Sequence, residues 1–189
     1  MRKYATAGAL ILLLAASGRA WDIKAGIMGG ARTASDPDIR RIYGGGSVYY
    51  PFLAVGLAKG FSLGLGYEGG YSRSGVIGSF RETTTLKVSG PEIFAGYWFR
   101  LEPLSLYVRA GWGSYAYRQT VDSPAARDFP VDARRGALLV AGGVHVFFSE
   151  RFYLCGEVKY VPLTVKPYDR EVNLGGIRYM AGVGYTVRF

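Results

Sequence analysis

The sequence predicts an all-β protein, an eight-stranded antiparallel up-and-down transmembrane β-barrel. Three observations support this fold class. Apolar side chains alternate with polar or small ones along most of the chain, which is the period of β-strands. Tight turns alternate with long polar loops, as in barrels that cross a membrane. Every segment with a clear alternation has one face without a charge, and such a face can contact lipid.

The length and composition exclude several classes of protein. A chain of 189 residues fits one domain, and 28 of its residues are glycine. It has one Cys and one His, so an intramolecular disulfide and a zinc site of several Cys and His ligands are excluded. A catalytic site that uses several histidines is excluded for the same reason.

The first twenty residues have the pattern of a cleaved secretory signal peptide. Arg2 and Lys3 precede an apolar run at 7–16, and Gly18 and Ala20 provide small side chains before the cleavage point. The run is about half as long as a membrane-spanning helix. We therefore expect a signal peptide at 1–20 and a single barrel domain at 21–189. The mature chain keeps 20 bases against 14 acids, a net charge of +6.

Eight strands follow from the two-residue period, each with an apolar face that should meet lipid. In chain order they are Asp22–Met28, Arg41–Leu57, Phe61–Ser72, Glu92–Phe99, Leu104–Tyr115, Ala137–Phe148, Phe152–Val161 and Tyr179–Phe189. Their apolar faces are Ile23, Ala25, Ile27; Leu53, Val55, Leu57; Phe61, Leu63, Leu65, Tyr67, Tyr71; Ile93, Ala95, Tyr97, Phe99; Leu104, Leu106, Val108, Ala110, Trp112; Leu138, Val140, Val144, Val146, Phe148; Phe152, Leu154, Val158, Tyr160; and Tyr179, Ala181, Val183, Tyr185, Val187, Phe189.

The second strand is the least regular because it contains Pro51, which cannot donate a hydrogen bond within a closed barrel. We expect a β-bulge at Tyr50–Pro51 that turns Val48, in place of Tyr49, toward lipid. On the lumen side of the fifth strand, we expect Gly111→Ser to destabilise the barrel only mildly compared with Val108→Arg on the lipid side.

Short and long connections between the strands alternate strictly along the chain. Tight turns are predicted at 58–60, 100–103 and 149–151, and long polar loops at about 32–40, 73–87, 116–135 and 163–176. A soluble sandwich has no reason to place its short and long connections at opposite ends, whereas an outer-membrane barrel has short periplasmic turns and long extracellular loops. The even strand count puts both ends of the mature chain on the periplasmic side.

The charged strand residues all fall on the face opposite to the apolar one. A tilted strand rises roughly 2.5 Å per residue along the barrel axis. Counted from the periplasmic turns, five charges lie in one slab: Glu68, Glu92, Arg109, Glu157 and Lys159. Charges in so narrow an interior must be paired, so we predict a lumen charge network that plugs the barrel. The alternative role is a gate whose pairs exchange and admit water or ions.

The last strand carries the most specific motif. It combines alternating hydrophobic residues, a glycine and a terminal aromatic residue: Tyr179, Gly182, Val183, Tyr185, Val187 and Phe189. This pattern resembles the C-terminal assembly signal of bacterial outer-membrane barrels. The mature chain is thus similar to the small outer-membrane β-barrel superfamily, which includes the transmembrane domain of outer-membrane protein A, outer-membrane protein X and the opacity-type adhesins. The resemblance implies a bacterial outer-membrane location, transit with periplasmic chaperones and insertion by the barrel-assembly machinery.

Most of the excess positive charge lies in the long loops. The arginines that could contact lipopolysaccharide are Arg40, Arg41, Arg73, Arg81, Arg134, Arg135 and Arg178. They form either a solvated rim or a surface for lipopolysaccharide phosphates, whose oxygens suit the guanidinium fork. Nucleic-acid binding is not expected, because the bases are dispersed and the compartment is extracytoplasmic.

Catalysis is not expected. His145 lies three residues above a periplasmic turn on the inward face, with no serine at the spacing that a lipid A-modifying barrel enzyme would need. Cys155 also faces inward. The sequence therefore favours a monomeric structural or surface-binding barrel without cofactor or metal. A narrow channel or carrier for a small or hydrophobic solute is the first alternative, and an outer-leaflet lipid A-modifying enzyme is a less favoured one.

Overall fold

The structure, a computed structural model, describes residues 22–57, 60–77, 81–122, 131–166 and 171–189. The predicted signal peptide lies outside the described residues. So do 58–59 of the first predicted turn and 78–80, 123–130 and 167–170 of the predicted loops.

The described residues form a closed barrel of eight long antiparallel strands, which confirms the predicted fold class. The elements are β1 Asp22–Ala34, α1 Pro37–Tyr43, β2 Gly46–Gly56, β3 Phe61–Ile77, β4 Glu82–Leu101, β5 Leu104–Asp122, β6 Val131–Phe147, β7 Phe152–Val161, β8 Thr164–Val165, β9 Val172–Asn173 and β10 Gly176–Arg188. The first and last long strands, β1 and β10, pair from Asp22–Arg188 to Ala34–Gly176 and close the barrel. No helix in the described part of the chain is long and apolar enough to cross a membrane.

Alternate side chains point to opposite sides of the barrel wall, as the sequence period predicts. On the outer face, Leu65, Ile93 and Val140 are 58%, 59% and 60% exposed. The lumen face instead carries buried charges, among them Glu68 and Arg109. The barrel is therefore apolar outside and polar inside, which suits a lipid surround rather than water. We call the end with the tight connections and both termini the short-turn end, and the other the long-loop end.

The strands on one side of the barrel are longer than predicted. Residues Tyr71–Ile77 of β3 pair with Glu82–Val88, and Thr83–Ser89 of β4 pair with Ala116–Asp122. Much of the predicted loops 73–87 and 116–135 is thus strand. We call this part of the four strands, residues 71–77 of β3, 82–89 of β4, 116–122 of β5 and 131–135 of β6, the outer extension. The predicted alternation does not continue there because the apolar side chains of this part, such as Leu86 and Tyr117, face inward and the polar ones face outward.

The predicted strand Arg41–Leu57 is wrong at its start, because residues 37–43 form helix α1. Asp36 caps this helix by accepting hydrogen bonds from the backbone N–H groups of Asp38, at 2.9 Å, and Ile39, at 3.4 Å. Pro37 occupies the first turn, where its missing N–H costs nothing. The Asp-Pro pair was a helix-start signal in the sequence.

The predicted bulge at Tyr50–Pro51 is also wrong. Strand β2 pairs with β1 without interruption from Gly56 to Gly46. Val48 is 3% exposed and faces the lumen, while Tyr49 is 46% exposed and faces outward. Pro51 is tolerated because it forms no pair with β3. The pairs on either side of it are Tyr49–Gly69 and Phe52–Gly66.

A register shift lies instead in the neighbouring strand, β3. Its pairing with β4 shifts between Glu68 and Tyr71, and Gly70 has a φ of +86°. The extra residue turns Tyr71 into the lumen, where it is 3% exposed, so its predicted lipid-facing orientation is wrong. The shift forms at Gly69–Gly70 because glycine adopts positive φ without strain.

Gly70→Ala is expected to lower the free energy of unfolding by about 1–2 kcal/mol, because an L-residue is strained at this φ. The ring of Tyr49, 2.9 Å from the position of the added Cβ, would also have to move. Gly29→Ala is the matched control, since its Cβ would meet only the Val48 carbonyl oxygen at 4.0 Å. Urea unfolding in detergent micelles measures both, and equal stabilities would contradict the positive-φ argument.

Candidate functional site in the lumen and at the long-loop end

An ion pair occupies the middle of the lumen. Arg109 Nη2 lies 2.6 Å from Glu157 Oε1, and both side chains are almost fully buried. The Tyr107 hydroxyl donates to Glu157 Oε2 at 2.9 Å, and Arg109 Nη1 donates to the Tyr50 hydroxyl at 2.8 Å. The layer is therefore held by charge-assisted hydrogen bonds among residues of three strands, β2, β5 and β7.

A second layer lies directly toward the long-loop end. Lys159 Nζ is 2.8 Å from Glu68 Oε2 and 2.7 Å from Glu92 Oε1. The Tyr115 hydroxyl donates to Glu92 at 2.6 Å. Lys159 Nζ also lies 4.1 Å from the centre of the Tyr50 ring, so Tyr50 contacts both layers. The structure thus brings Glu68, Glu92, Arg109, Glu157 and Lys159 together as two adjacent groups.

Arg178 belongs to this network and not to the rim, so its predicted rim position is wrong. Its side chain is fully buried, and its Nε and Nη2 atoms donate to Glu68 at 3.1–3.2 Å. Strand β10 begins at Gly176, before the predicted start at Tyr179, and Arg178 shares the lumen face with Met180. Extending the alternation of the last strand by one residue would have found it.

Arg32 is a second buried base that the sequence reading assigned to a loop. It is 2% exposed; its Nη1 lies 3.9 Å from Glu68, and its guanidinium lies 4.5 Å from the Tyr71 ring centre. Its Nη2 donates to the Leu174 carbonyl oxygen. Strand β1 extends to Ala34, so Arg32 continues the inward face of Met28.

Aromatic rings fill the lumen near the short-turn end. His145 is 1% exposed and stacks on Tyr153, with ring centres 4.2 Å apart. A cavity of about 10 Å³ lies between Trp98, Tyr107, His145 and the Arg109–Glu157 pair, which is about the space of one water molecule. Cys155 is buried beside this cluster, in register with His145.

The lumen is covered by apolar side chains at the long-loop end. Leu163, Val165 and Leu174, around the short strands β8 and β9, are at most 3% exposed. Nearby, the Tyr43 hydroxyl of α1 lies 3.0 Å from the Thr84 hydroxyl and accepts a hydrogen bond from Gln119. Burial raises the pKa of Tyr43 above its usual value.

The remaining predicted rim bases lie at the surface, but they are spread over three places. Arg40 and Arg41 are on α1, where Arg41 lies 3.5 Å from Asp38. Arg73 and Arg81 are at the β3–β4 hairpin, and Arg134 and Arg135 lie on β6; all six are exposed. They therefore do not form one cluster.

The predicted assembly residues form the strand that closes the barrel. Tyr179, Val183 and Phe189 are more than half exposed on the outer face. Tyr185 packs edge-on against Phe152 at 5.0 Å between ring centres, and Val187 pairs with Ile23. Gly182 lies on the lumen face. Their role as an assembly signal stays a prediction.

The described residues contain no group of three or more His, Cys, Asp or Glu side chains placed to hold a metal ion. The polar contacts described in the middle of the lumen are ion pairs among Arg, Lys and Glu, with tyrosine hydroxyls as further donors.

No protein-family model and no curated protein matches the chain. Solved structures do resemble it. The N-terminal β-barrel domain of Pseudomonas aeruginosa OprF is 17% identical with a TM-score of 0.53, covering 89% of this chain and 97% of its own. Neisserial surface protein A (NspA) is 18% identical with a TM-score of 0.54, covering 88% and 98%. Ail, the attachment invasion locus protein of Yersinia pestis, in complex with the heparin analogue sucrose octasulfate, is 13% identical with a TM-score of 0.54, covering 89% and 98%.

At these identities the likeness concerns the fold. It covers nearly the whole of each barrel and agrees with the closed eight-stranded topology. The chain has the fold of the small eight-stranded β-barrels of the bacterial outer membrane.

Proposed function

We propose that this protein is an exported bacterial outer-membrane barrel that acts at the cell surface, through structural or binding contacts, with its lumen closed to solutes. The observation that carries the proposal is the buried ion network of Glu68, Glu92, Arg109, Glu157, Lys159 and Arg178. Conduction through this level would require these pairs to separate. Separating buried charges costs several kcal/mol per pair, so a closed lumen is favoured.

A narrow channel or carrier is the second candidate. It is favoured by one feature, since Lys159 contacts two carboxylates, Glu68 and Glu92, at nearly equal distances. Such an ammonium could move toward either partner without losing both contacts. The water-sized cavity next to Arg109 also lies in the lumen, where a solute would have to pass.

An outer-leaflet enzyme is disfavoured. His145 is buried near the short-turn end and is surrounded by the rings of Trp98, Tyr107, Phe147 and Tyr153. A lipid in the outer leaflet would lie near the opposite end of the barrel. No route to this imidazole from that leaflet is supported by the geometry.

The exposed bases of the rim are proposed to contact phosphates of lipopolysaccharide. Arg40, Arg41, Arg73, Arg81, Arg134 and Arg135 are available for such contacts, whereas Arg178 is not, since it is buried against Glu68. Ail, which has the same fold, was crystallised with a sulfated sugar. Guanidinium groups suit sulfate and phosphate oxygens equally by geometry.

Planar-bilayer recording tests the closed lumen. Protein comprising residues 21–189 is refolded, and folding is checked by its gel mobility with and without boiling. We expect no discrete conductance steps from protein that shows the folded mobility. Reproducible steps that change when Lys159 is replaced by Gln would instead establish the channel candidate.

Removal of the last residue tests the assembly signal. Phe189→Ala, or deletion of Phe189, is expected to lower the outer-membrane level several-fold, because the terminal aromatic residue would mark the chain for the barrel-assembly machinery after chaperone transit. Phe148→Ala is the matched control, since Phe148 is 64% exposed on the outer face at the same end, as Phe189 is at 61%. Quantitative blots of membrane fractions measure both variants. If both variants lost the same share of their outer-membrane level, Phe189 would act only as an ordinary interfacial side chain and not as an assembly signal.

A further inference from the structure

Three bases share the outward face of the outer extension on adjacent strands. Lys87 of β4, Arg118 of β5 and Arg134 of β6 are exposed, while their inward neighbours Leu86 and Tyr117 are 2% and 4% exposed. All three bases were assigned by the sequence to loops. The strand pairing places them on one surface.

The pairing register places two of these positive charges on directly opposite residues. Lys87 lies directly opposite Arg118, and like charges in that position repel. Two carboxylates lie on this face in the described part of the chain: Asp132, whose Oδ2 lies 2.6 Å from Arg118 Nη2, and Asp122, which is exposed at the end of β5 opposite Thr83. Within the described part of the chain, neither Lys87 nor Arg134 has a carboxylate within 4 Å. Among the described residues, these two positive charges therefore have no ion-pair partner.

These bases lie just beyond the apolar band of the outer face. Lys87 is six residues from Ile93, Arg118 six residues from Trp112, and Arg134 four from Leu138. At roughly 2.5 Å of rise per residue, this is about 10–15 Å. The hydrocarbon core gives way to headgroups over this distance.

Among the outward-facing strand residues described at the long-loop end, bases occur only on β4, β5 and β6. At the long-loop end of β1, β2, β7 and β10, the outward residues Thr33, Ser47, Pro162 and Ile177 are uncharged. Lys166, which follows β8, is paired with Glu171 at 2.8 Å. A ligand attracted by charge would therefore bind along β4–β6.

We propose that Lys87, Arg118 and Arg134 hold the phosphate group of an outer-leaflet lipid against the outer extension. The inference rests on the proposed function and deepens it, since it assigns lipopolysaccharide contact to one face. A lipid is favoured over a free anion because the same three strands continue below the bases as an apolar surface of Ile93, Trp112 and Leu138. An amphiphile can contact the bases with its phosphate and the apolar surface with its acyl chains at the same time.

The test uses refolded protein titrated with bisphosphorylated lipid A in detergent micelles, with bound lipid counted by native mass spectrometry. Dephosphorylated lipid A and added inorganic phosphate form the comparison arms. The variant Lys87→Gln/Arg118→Gln/Arg134→Gln is expected to bind about tenfold more weakly or worse. The charge-matched control Arg151→Gln/Lys166→Gln/Arg188→Gln removes three exposed bases elsewhere and should bind as the unmodified protein does.

A second variant keeps the test decisive if the triple variant does not fold. Asp132→Asn removes the carboxylate that pairs with Arg118, so it should tighten binding several-fold. Equal weakening of the triple variant and its control, or equal binding of dephosphorylated lipid A, would overturn the inference. Displacement of the lipid by an equal concentration of inorganic phosphate would show a free-anion site and also overturn it.

Failure of the proposed function gives a different result. If protein with the folded gel mobility binds neither form of lipid A, the lipopolysaccharide contact as a whole is wrong. If it binds the phosphorylated form and the triple variant binds equally well, only the assignment to this face is wrong.

Discussion

Glu68→Gln is expected to lower the free energy of unfolding by about 3–5 kcal/mol, the usual loss when one partner of a buried ion pair is removed. Glu68 is fully buried and accepts from both Arg178 and Lys159, at 3.1 and 2.8 Å. The substitution keeps the shape of the side chain and removes its charge. Lys159 would then keep its contact with Glu92, whereas Arg32 and Arg178 would have no carboxylate within 4 Å among the described residues.

The matched control is Asp132→Asn, which makes the same kind of change in the exposed Arg118–Asp132 pair. Pairs this exposed contribute about 0–1 kcal/mol, so little stability should be lost. Urea unfolding of both variants in micelles, followed by gel mobility and tryptophan fluorescence, measures the difference. If Glu68→Gln were as stable as the control, the network would not hold the lumen closed.

Val108→Arg is expected to destabilise the barrel by about 2–4 kcal/mol, as a base does at the midplane of a bilayer. Val108 is 54% exposed on the outer face, between Tyr97 of β4 and Gly142 of β6. The cost arises because lipid cannot solvate the guanidinium. A barrel surrounded by water would tolerate the same change at this exposed position.

Leu104→Arg is the matched control, since Leu104 begins β5 on the same outward face and is 41% exposed. Close to the interface, a base costs only about 0–1 kcal/mol. Folding titrations in lipid vesicles should therefore separate the two variants by depth. Equal costs at both positions would count against a membrane around this face.

At Gly111 the neighbouring strand lies closer than a position facing the lumen suggests, so Gly111→Ser would require the backbone to shift. A Cβ at Gly111 would press on the backbone of β4, with the Cα atom of Phe94 only 2.8 Å away. The alternation showed that Gly111 faces away from lipid, but it carried no information on how closely the next strand approaches. That distance depends on the strand pairing around the whole barrel.

The sequence alone determined most of the strands in the barrel wall and which of their faces points outward. There, the outer face is apolar and the other face lines the lumen, so residues such as Leu63 and Val140 alternate with polar or small ones and the period is readable. It also determined that charges such as Glu68 and Lys159 lie inside, because a charge on the lipid face is costly.

In the outer extension the apolar side chains no longer lie on the outer face, so the alternation does not continue from the barrel wall. The outer extension, the inward position of Arg32 and Arg178 and the register shift at Gly69–Gly70 therefore became visible only in the tertiary structure. The pairing partners were decided there too. Which carboxylate faces Lys159, and which base faces Lys87, depends on the stagger of strands as the sheet closes, and that stagger is a property of the whole barrel.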